Sequence, residues 1–449
     1  MASLVGLLKA PNCGTDKTIW EKLCPELSIV ATGDADEIDH KPPAAPAIHD
    51  AADDAGKDGD TTKDEDVVYN KRMQSIVQDG YCLVDDVPAP SLIEKIRNGI
   101  EQLVAMDLPP TLIFLFDETW ELAKISSQTL TSANANDNQF NYDVLAWHIP
   151  HGSAGFSPHR DRQPDDVASS FHSDSQIPKF ITHWIALSDA TPSSSCLYMI
   201  PKSLDPGYMQ GDVDSADPLQ RALCDKHAYQ HIRAMPRQAG QSVLFSHRII
   251  HWGSHCHART QPRIAISFVA SHPDFEPSLL AQRCTMPSLQ TRLVLICGQL
   301  LIYYQRFDFS KELIRACYEY CKLHQDILDE TYRHKVFVEF IKAMKEHADA
   351  GVENVGATAK TDKATTVQLV INGDGKEGED DDDDDEDAMM EEMLNAEEEG
   401  YGEFQDDFDE VENDDQGDDG KNEDGEDEDP ELAGIQPFVF GDKKRKRDV

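Results

Sequence analysis

The stretch QSVLFSHRIIHWGSHCHARTQPRIAISFVA, residues 241–270, carries the pattern that decides the fold. Two apolar runs alternate as strands do, so every second residue from Val243 to His251 falls on one face of the first. The same face of the second run carries Arg263, Ala265 and Ser267. The polar segment HWGSHCHARTQP can turn the chain back. Antiparallel pairing of the two runs would then bring His251 and Arg263 to one end of a sheet, where the small Ala265 and Ser267 leave room for a ligand.

Similar short runs fill the region from residue 142 to 270. They are rich in Val, Ile, Phe and Trp and are bounded by Pro, Gly, Ser and Asp: VLAWHI, FITHWIAL, CLYMI, QSVLFS and RIAISFVA. This texture predicts an all-β core of the sandwich or jelly-roll type. The chain is therefore expected to be mainly β with flanking helices.

The flanking helices are predicted on both sides of this core. Before it, YCLV fits a short strand, and Ser91 and Glu94 have the spacing of a helix capping box. An amphipathic face follows in the same segment, formed by Leu92, Ile93, Ile96, Ile100 and Leu103. After the core, residues 288–307 and 310–347 have helical periodicity, which predicts two or three closing helices.

Composition sets the outer boundaries of this domain. Residues 31–66 are Ala, Asp, Gly and Pro with almost nothing to bury, so we predict a mostly disordered N-terminal arm over 1–66 and a folded domain over 67–345. Residues 371–449 hold 35 acidic and 7 basic residues, a charge of −28 out of −43 for the chain. Self-repulsion predicts a disordered acidic tail over 350–449, which ends in the basic cluster KKRKR.

Charge, cysteines and hydropathy bear on location and partners. The acidic surface argues against a nucleic-acid partner, because phosphate binding needs clustered Lys and Arg. The 10 cysteines include no Cys-x-x-Cys pair and several lie in apolar runs, which predicts buried reduced thiols in an intracellular protein. No apolar run approaches 20 residues, so no membrane span is expected. KKRKR leaves the choice between cytoplasm and nucleus open.

The segment FSPHRDRQPDD, residues 156–166, contains a His-x-Asp pair, His159 and Asp161. Such a pair is weak evidence alone in a chain with 17 histidines and 84 acidic residues. With a second histidine and an arginine further along the chain, the pair would form part of a metal site that also binds a carboxylate. Two imidazoles and one carboxylate on one face of an octahedron leave three positions open on Fe(II), and arginine binds a carboxylate bidentately. If the local chain is extended, Arg160 points away from the metal.

HRD, then ITHWIALSDATPSSSCLYMIP, then GQSVLFSHRIIHWGS and RIAISF together resemble the phytanoyl-CoA dioxygenase family, over roughly residues 79–272. The resemblance implies a double-stranded β-helix, a cupin-like jelly-roll, and an oxidoreductase that uses Fe(II) and 2-oxoglutarate. It implies His159, Asp161 and His251 as metal ligands and catalytic centre. It implies that 2-oxoglutarate is bound by Arg263, Ser254, Trp184 and Thr182.

Some assignments stay open, and this sequence departs from the family in places. His247, His255 and His257 compete with His251 as the distal ligand, and Arg248 and Arg259 compete with Arg263. Ser194–Ser195 stands where the family usually has Asn-Gly. Cys317, Cys321 and His324 have metal-like spacing, but a helix there would turn them inward and no fourth ligand can be named.

The expected function is a dioxygenase that hydroxylates an unidentified substrate, a small molecule in the first instance, and releases succinate and CO₂. A carboxylate at Asp161 favours hydroxylation over halogenation, since halogenating relatives have a small residue there. The alternative is an interaction protein whose acidic tail binds basic partners, with a weakly catalytic or inert β-core.

Overall fold

The computed structural model describes residues 3–30, 71–131, 138–153, 155–212, 218–257, 260–306 and 309–358. All of them belong to one structural unit within Met1–Leu369. Residues 31–66 of the predicted arm and 359–449 of the predicted tail, with its KKRKR cluster, lie outside the described residues. The alternative function assigned to the acidic tail therefore also lies outside them.

Nearly all strands of the described chain coincide with the apolar runs. They are β1 (Tyr81–Val84), β2 (Gln139–Phe140), β3 (Leu145–Ile149), β4 (Phe180–Ala186), β5 (Leu197–Met199), β6 (Arg233–Met235), β7 (Ser242–Ser246), β8 (His251–Gly253) and β9 (Arg263–Ser271). They form two antiparallel sheets. The larger has the order β1-β7-β4-β9-β2, with β3 also paired to β9, and the smaller has the order β6-β5-β8.

The hairpin predicted between the runs at 243–251 and 263–270 is wrong. The first run is two strands, because β7 ends at Ser246 and the chain crosses to the smaller sheet before β8 starts at His251. Strand β9 pairs with β4 and β3, and β4 separates it from β7. The alternation within β9 still holds, and it turns Arg263 and Ser267 toward the space between the sheets.

The space between the sheets is filled by apolar side chains up to the site. Trp184 and Phe245 of the larger sheet pack with Leu197 and Met199 of the smaller one. The outer face of the larger sheet is covered by helix α5 (Asp117–Thr131): Ser126 Oγ lies 2.7 Å from His183 Nδ1 on β4. Because both faces are covered, every residue of β4 and β9 is buried, and most of them are apolar.

Most helices lie before β2 or after β9, as predicted, and a short one lies between β5 and β6. They are α1 (Leu4–Leu8), α2 (Thr18–Glu21), α3 (residues 71–79), α4 (Pro90–Ala105), α5, α6 (Pro218–Ala222), α7 (Leu289–Ile302), α8 (Lys311–Leu323) and α9 (Glu330–Thr358). Three helices, α7 to α9, follow the β-core. Helix α9 extends to Thr358, past residue 350, where the tail is predicted to begin. In the described part of the chain, no helix has the length and apolar character needed to cross a bilayer.

Helix α4 starts differently from the prediction. Its N-cap is Ala89, Pro90 occupies the first turn, and no side chain caps the end, so the capping box of Ser91 and Glu94 does not form. Proline at the first helical position fixes the backbone there and sets the start before Ser91 can act as a cap. The predicted apolar face is buried as expected: Leu92, Ile93, Ile96, Ile100 and Leu103.

Residues 3–30 pack on the domain instead of extending from it. Trp20 is fully buried, and Cys24 Sγ lies 3.5 Å from Gly99 O of α4. Ser28 N donates to Glu118 Oε2 at 3.0 Å. Residues 3–30 therefore belong with the folded domain, although composition placed them in the arm.

The cysteines are free thiols in the described residues, and most of them are buried, as predicted. Cys321 Sγ lies 3.6 Å from Val294 O, and His324 bonds to Gln290, so Cys317, Cys321 and His324 do not converge on a metal position.

Candidate active site

His159, Asp161 and His251 come together at one end of the space between the sheets. One ligand atom from each lies within 4.8 Å of the others, and no other such group occurs among the described residues. Asp161 Oδ1 is 3.4 Å from His251 Nε2 and 3.8 Å from His159 Nε2. The three groups therefore face a common point at a spacing that a metal ion can bridge.

Backbone hydrogen bonds hold these residues together across ninety positions of sequence. His159 N donates to His251 O at 3.1 Å, and His251 N donates to His159 O at 3.0 Å. Asp161 N donates to His247 O at 3.0 Å. The His-x-Asp segment thus runs along β8 as an additional antiparallel neighbour. It lies beside the second histidine in the smaller sheet, not on the sheet that faces it.

The two imidazoles are oriented by backbone carbonyls. His159 Nδ1 lies 2.8 Å from Ser157 O, and His251 Nδ1 lies 3.1 Å from Ile249 O. A carbonyl only accepts, so each Nδ1 carries the proton and each Nε2 presents its lone pair to the common point. This is the tautomer that metal coordination through Nε2 requires.

The environment also favours the protonation states that a metal needs. Burial, and next the charge of His251, lower the pKa of His159 to about 4. Burial by itself would raise the pKa of Asp161, but His251 and His159 outweigh it and the pKa is lowered. A neutral imidazole and an ionised carboxylate are the ligand forms, because metal binding displaces protons.

Arg160, between the two ligands, points away from the common point, as its place in an extended segment predicts. Its guanidinium is fully buried and binds Asp205 Oδ2 at 2.6 Å and Asp212 Oδ2 at 2.5 Å. It also donates to the carbonyl of Arg248. These bonds fix the ligand segment from behind, a role that sequence alone did not reveal.

Thr182, predicted to bind the co-substrate, lines the cavity and contacts a ligand. Its Oγ1 donates to Asp161 Oδ2 at 2.6 Å, which leaves Oδ1 directed toward the imidazoles. The structure thus places Thr182 where it orients the carboxylate.

Replacing Thr182 by valine is expected to weaken metal binding by about 10- to 100-fold, the usual effect of losing a hydrogen bond to a metal ligand. Serine at the same position keeps the hydroxyl and is expected to bind nearly as tightly as threonine. Competition with a chelator of known affinity measures both. Equal affinity of the valine and serine variants would contradict the role.

Arg263 lies at the floor of the same cavity with an unusual lack of partners. It is fully buried, and Nε, Nη1 and Nη2 all lack a hydrogen-bond partner. Its Cζ lies 5.6 Å from the ring of Trp184, and burial lowers its pKa to about 10. A buried guanidinium without partners is costly unless an anion binds it.

Of the other two residues predicted to bind the co-substrate, Trp184 lines the cavity and Ser254 does not. Trp184 lines the cavity beside Arg263. Ser254 Oγ donates to Pro192 O at 3.2 Å, and Ser254 is not among the cavity-lining residues. A hydroxyl on the cavity face is instead supplied by Ser267 of β9. The predicted role of Ser254 in binding a carboxylate has no support from its position.

The alternative ligands occupy other environments. His247 is buried, with Nδ1 3.2 Å from Phe180 O, and it does not line the cavity. His255 and His257 are exposed. Arg248 donates to the carbonyls of residues 162, 207 and 208, and Arg259 lies outside the described residues.

Several residues that sequence did not single out complete the cavity, which has a volume of about 180 Å³. Aromatic walls come from both sheets and from the end of α7: Trp147, Phe156, Phe180, Phe245, Trp252 and Tyr303. Phe156 follows Gly155, whose backbone packs directly against that of Gly253. A Cβ on Gly155 would lie 2.6 Å from the Gly253 backbone, so this close packing requires glycine. Arg162 also lines the cavity, and Glu276 binds its Nε at 2.5 Å. Sequence carried no signal for Tyr303 and Arg306, which follow α7 and reach the cavity only because that helix docks beside it.

One departure from the family has a structural cost. Ser195 stands where the family usually has glycine, and it adopts φ 60°, a left-handed conformation that glycine reaches more easily. Its buried Oγ lacks a hydrogen-bond partner.

Residues 104–265 match the model of the family "Phytanoyl-CoA dioxygenase (PhyH)". The chain contains a PhyH domain. The match includes every residue predicted to bind the iron or 2-oxoglutarate, and it accounts for the jelly-roll arrangement of the two sheets. With the His–Asp–His group, the PhyH match supports the predicted cofactors, Fe(II) and 2-oxoglutarate, and identifies an oxygenase-type enzyme domain.

Solved structures with a similar fold have low sequence identity to the chain. The epimerase SnoN from nogalamycin biosynthesis, described as α-ketoglutarate dependent, is 17% identical with a TM-score of 0.35, over 49% of this chain and 87% of that one. The non-heme monooxygenase ThoJ is 12% identical with a TM-score of 0.33, over 48% and 84%. HygX from Streptomyces hygroscopicus, solved with nickel and 2-oxoglutarate, is 13% identical with a TM-score of 0.31, over 45% and 85%. No curated protein sequence matches the chain significantly.

Proposed function

We propose that the PhyH domain is a 2-oxoglutarate-dependent iron dioxygenase that hydroxylates a small molecule. In this proposal His159, Asp161 and His251 hold Fe(II), and Arg263 binds the distal carboxylate of 2-oxoglutarate. The observation that carries it is the buried, unpartnered guanidinium of Arg263 in the same cavity as the triad. The distal carboxylate of 2-oxoglutarate needs a binding group away from the metal. Arg263 is a buried cation in the cavity that is available to bind it.

When bound, the iron and 2-oxoglutarate supply the oxidising power from O₂, and 2-oxoglutarate becomes succinate and CO₂. The protein contributes geometry and environment. The carbonyls behind His159 and His251 hold the imidazoles, and Thr182 holds Asp161. Aromatic walls exclude water from the reacting centre, which strengthens each charge interaction inside.

Asp161 also bears on the outcome of the reaction. A carboxylate at this place fills the position that halogenating relatives leave to chloride. Hydroxylation is therefore the reaction we assign.

Purified protein with Fe(II), 2-oxoglutarate and O₂ is expected to release succinate well above the level of a His159→Ala variant. Removing iron with a chelator should abolish the release, and adding Fe(II) back should restore it. Chromatographic quantification of succinate measures both. The proposal fails if native protein stays at the level of the variant, with candidate substrates present as well as without them.

A further inference from the structure

Arg306 lies at the rim of the active-site cavity, in the short turn Tyr304–Arg306 that follows α7. Its guanidinium carbon is 4.4 Å from the centre of the Phe156 ring, 5.6 Å from that of Tyr303 and 6.0 Å from that of Trp147. The side chain is exposed to solvent on its other side. It is thus a cation held in place by three aromatic rings at the entrance to the cavity.

The other charged side chains of the cavity are nearly all compensated. Arg160 is bound by two aspartates, Asp205 and Asp212, and Arg248, which does not line the cavity, lies 3.6 Å from Asp212. Arg162 is bound by Glu276 and also lies 3.4 Å from Asp143. These groups have no charge left to offer a ligand.

Two cavity cations form no ion pair with any described residue, namely Arg263 and Arg306. The proposed function already uses Arg263 for 2-oxoglutarate. The charges at the metal also balance: Fe(II) and Arg263 together carry three positive charges, and Asp161 and 2-oxoglutarate together carry three negative ones. Arg306 forms no ion pair with a described residue, so its charge is available for one further anionic group.

The position of Arg306 suits a substrate and not the co-substrate. The ring of Phe156 lies 4.4 Å from the Arg306 guanidinium and 6.3 Å from the ring of the ligand candidate His159. The Arg306 guanidinium is therefore no further from the His159 ring than the sum of these two distances. A small molecule bound at Arg306 can therefore extend to the metal position.

The ring contacts also leave the N–H groups of Arg306 available. The guanidinium forms no hydrogen bond or ion pair with a described residue, and its donors form a planar fork. Those N–H groups match a carboxylate or phosphate bidentately. The rings that support the cation can in turn contact an apolar or aromatic body.

We propose that the substrate carries an anionic group, a carboxylate or a phosphate, which binds Arg306, on an apolar or aromatic body that packs against Trp147, Phe156 and Tyr303. This inference deepens the proposed function and rests on it, since Arg263 must be occupied by 2-oxoglutarate.

The test compares matched probes on the full chain loaded with Fe(II) and saturating 2-oxoglutarate under anaerobic conditions. 4-Phenylbutyrate and 3-phenylpropyl phosphate carry the anionic group, and 4-phenylbutanamide is their neutral counterpart. Isothermal titration calorimetry is expected to give at least one anionic probe about tenfold higher affinity than the amide, the value of one charge-assisted hydrogen bond. Which anionic probe binds better distinguishes carboxylate from phosphate substrates.

Arg306→Gln is expected to reduce the preference for the anion over the amide to about onefold, and Arg306→Lys to retain part of it, since lysine keeps the charge without the planar fork. Arg97→Gln is the matched control: Arg97 is a partly exposed arginine of α4 that does not line the cavity, and the preference should persist. Equal affinities of acid, phosphate and amide for native protein would overturn the inference, as would a preference that survives Arg306→Gln.

Failure of the inference can be told from failure of the proposed function. Equilibrium dialysis with labelled 2-oxoglutarate reports on the proposed function alone. Native protein that binds 2-oxoglutarate but shows no preference among the probes refutes the role of Arg306 and leaves the proposed function intact. Native protein that does not bind 2-oxoglutarate refutes both, because the inference requires Arg263 to be occupied.

Discussion

Arg263→Leu is expected to stabilise the protein without ligands and to abolish measurable 2-oxoglutarate binding. The guanidinium is fully buried without a hydrogen-bond partner, and its pKa of about 10 means that it is still charged at neutral pH. Removing an uncompensated buried charge should raise the free energy of unfolding by about 1–3 kcal/mol. Losing two charge-assisted hydrogen bonds should lower 2-oxoglutarate affinity about 100- to 10,000-fold. Denaturant unfolding and equilibrium dialysis measure the two effects.

Arg248→Leu is the matched control for the stability effect. Arg248 is equally buried, but it donates to Tyr208 O, Arg162 O and Gly207 O at 2.9–3.2 Å. Its replacement leaves buried carbonyls unpaired and should lower the free energy of unfolding by about 3–5 kcal/mol. If both variants lose stability alike, Arg263 has a structural partner and is not held ready for an anion.

Asp161→Ala is expected to reduce Fe(II) affinity by more than the roughly 100-fold that loss of an outer-shell partner costs, because it removes the charged ligand itself. Two imidazoles would remain at the site, with the hydroxyl of Thr182 left without its acceptor. Metal titration against a competing chelator measures the loss, and succinate release should fall to background with it.

Asp165→Ala supplies the comparison for that result. Asp165 is an exposed aspartate four residues further along the same segment and does not line the cavity. Its variant should bind Fe(II) as native protein does. An Asp161→Ala variant with native metal affinity would remove this carboxylate from the ligand set.

Two buried residues carry a cost to the folded chain. Arg263, which lines the cavity, is charged without a hydrogen-bond partner, and Ser195 has a left-handed backbone and an unpaired hydroxyl. Features that lower stability and persist beside a cavity are typical of functional sites.

Much of the site could be predicted because strand alternation is a local property. A period of two places Arg263 and Ser267 on one face of β9 whatever the strand pairs with. The same rule turns Arg160 away from its neighbours His159 and Asp161. Together with the resemblance to the phytanoyl-CoA dioxygenase family, the order and type of these residues predicted a candidate iron site in a jelly-roll domain.

Only the tertiary structure decided which sheet each piece joins and what closes the cavity. The run from Val243 to His251 alternates without a break, yet the chain leaves the larger sheet after Ser246, because β8 pairs with β5. The rim arginine Arg306 comes from a turn after α7, about 150 residues beyond His159, and reaches the cavity by helix docking. Pairing and docking depend on contacts between distant segments, and a periodicity in one segment carries no information about its partner. The sequence by itself thus determined the candidate chemistry of the centre, and the tertiary structure decided the arrangement of its surroundings.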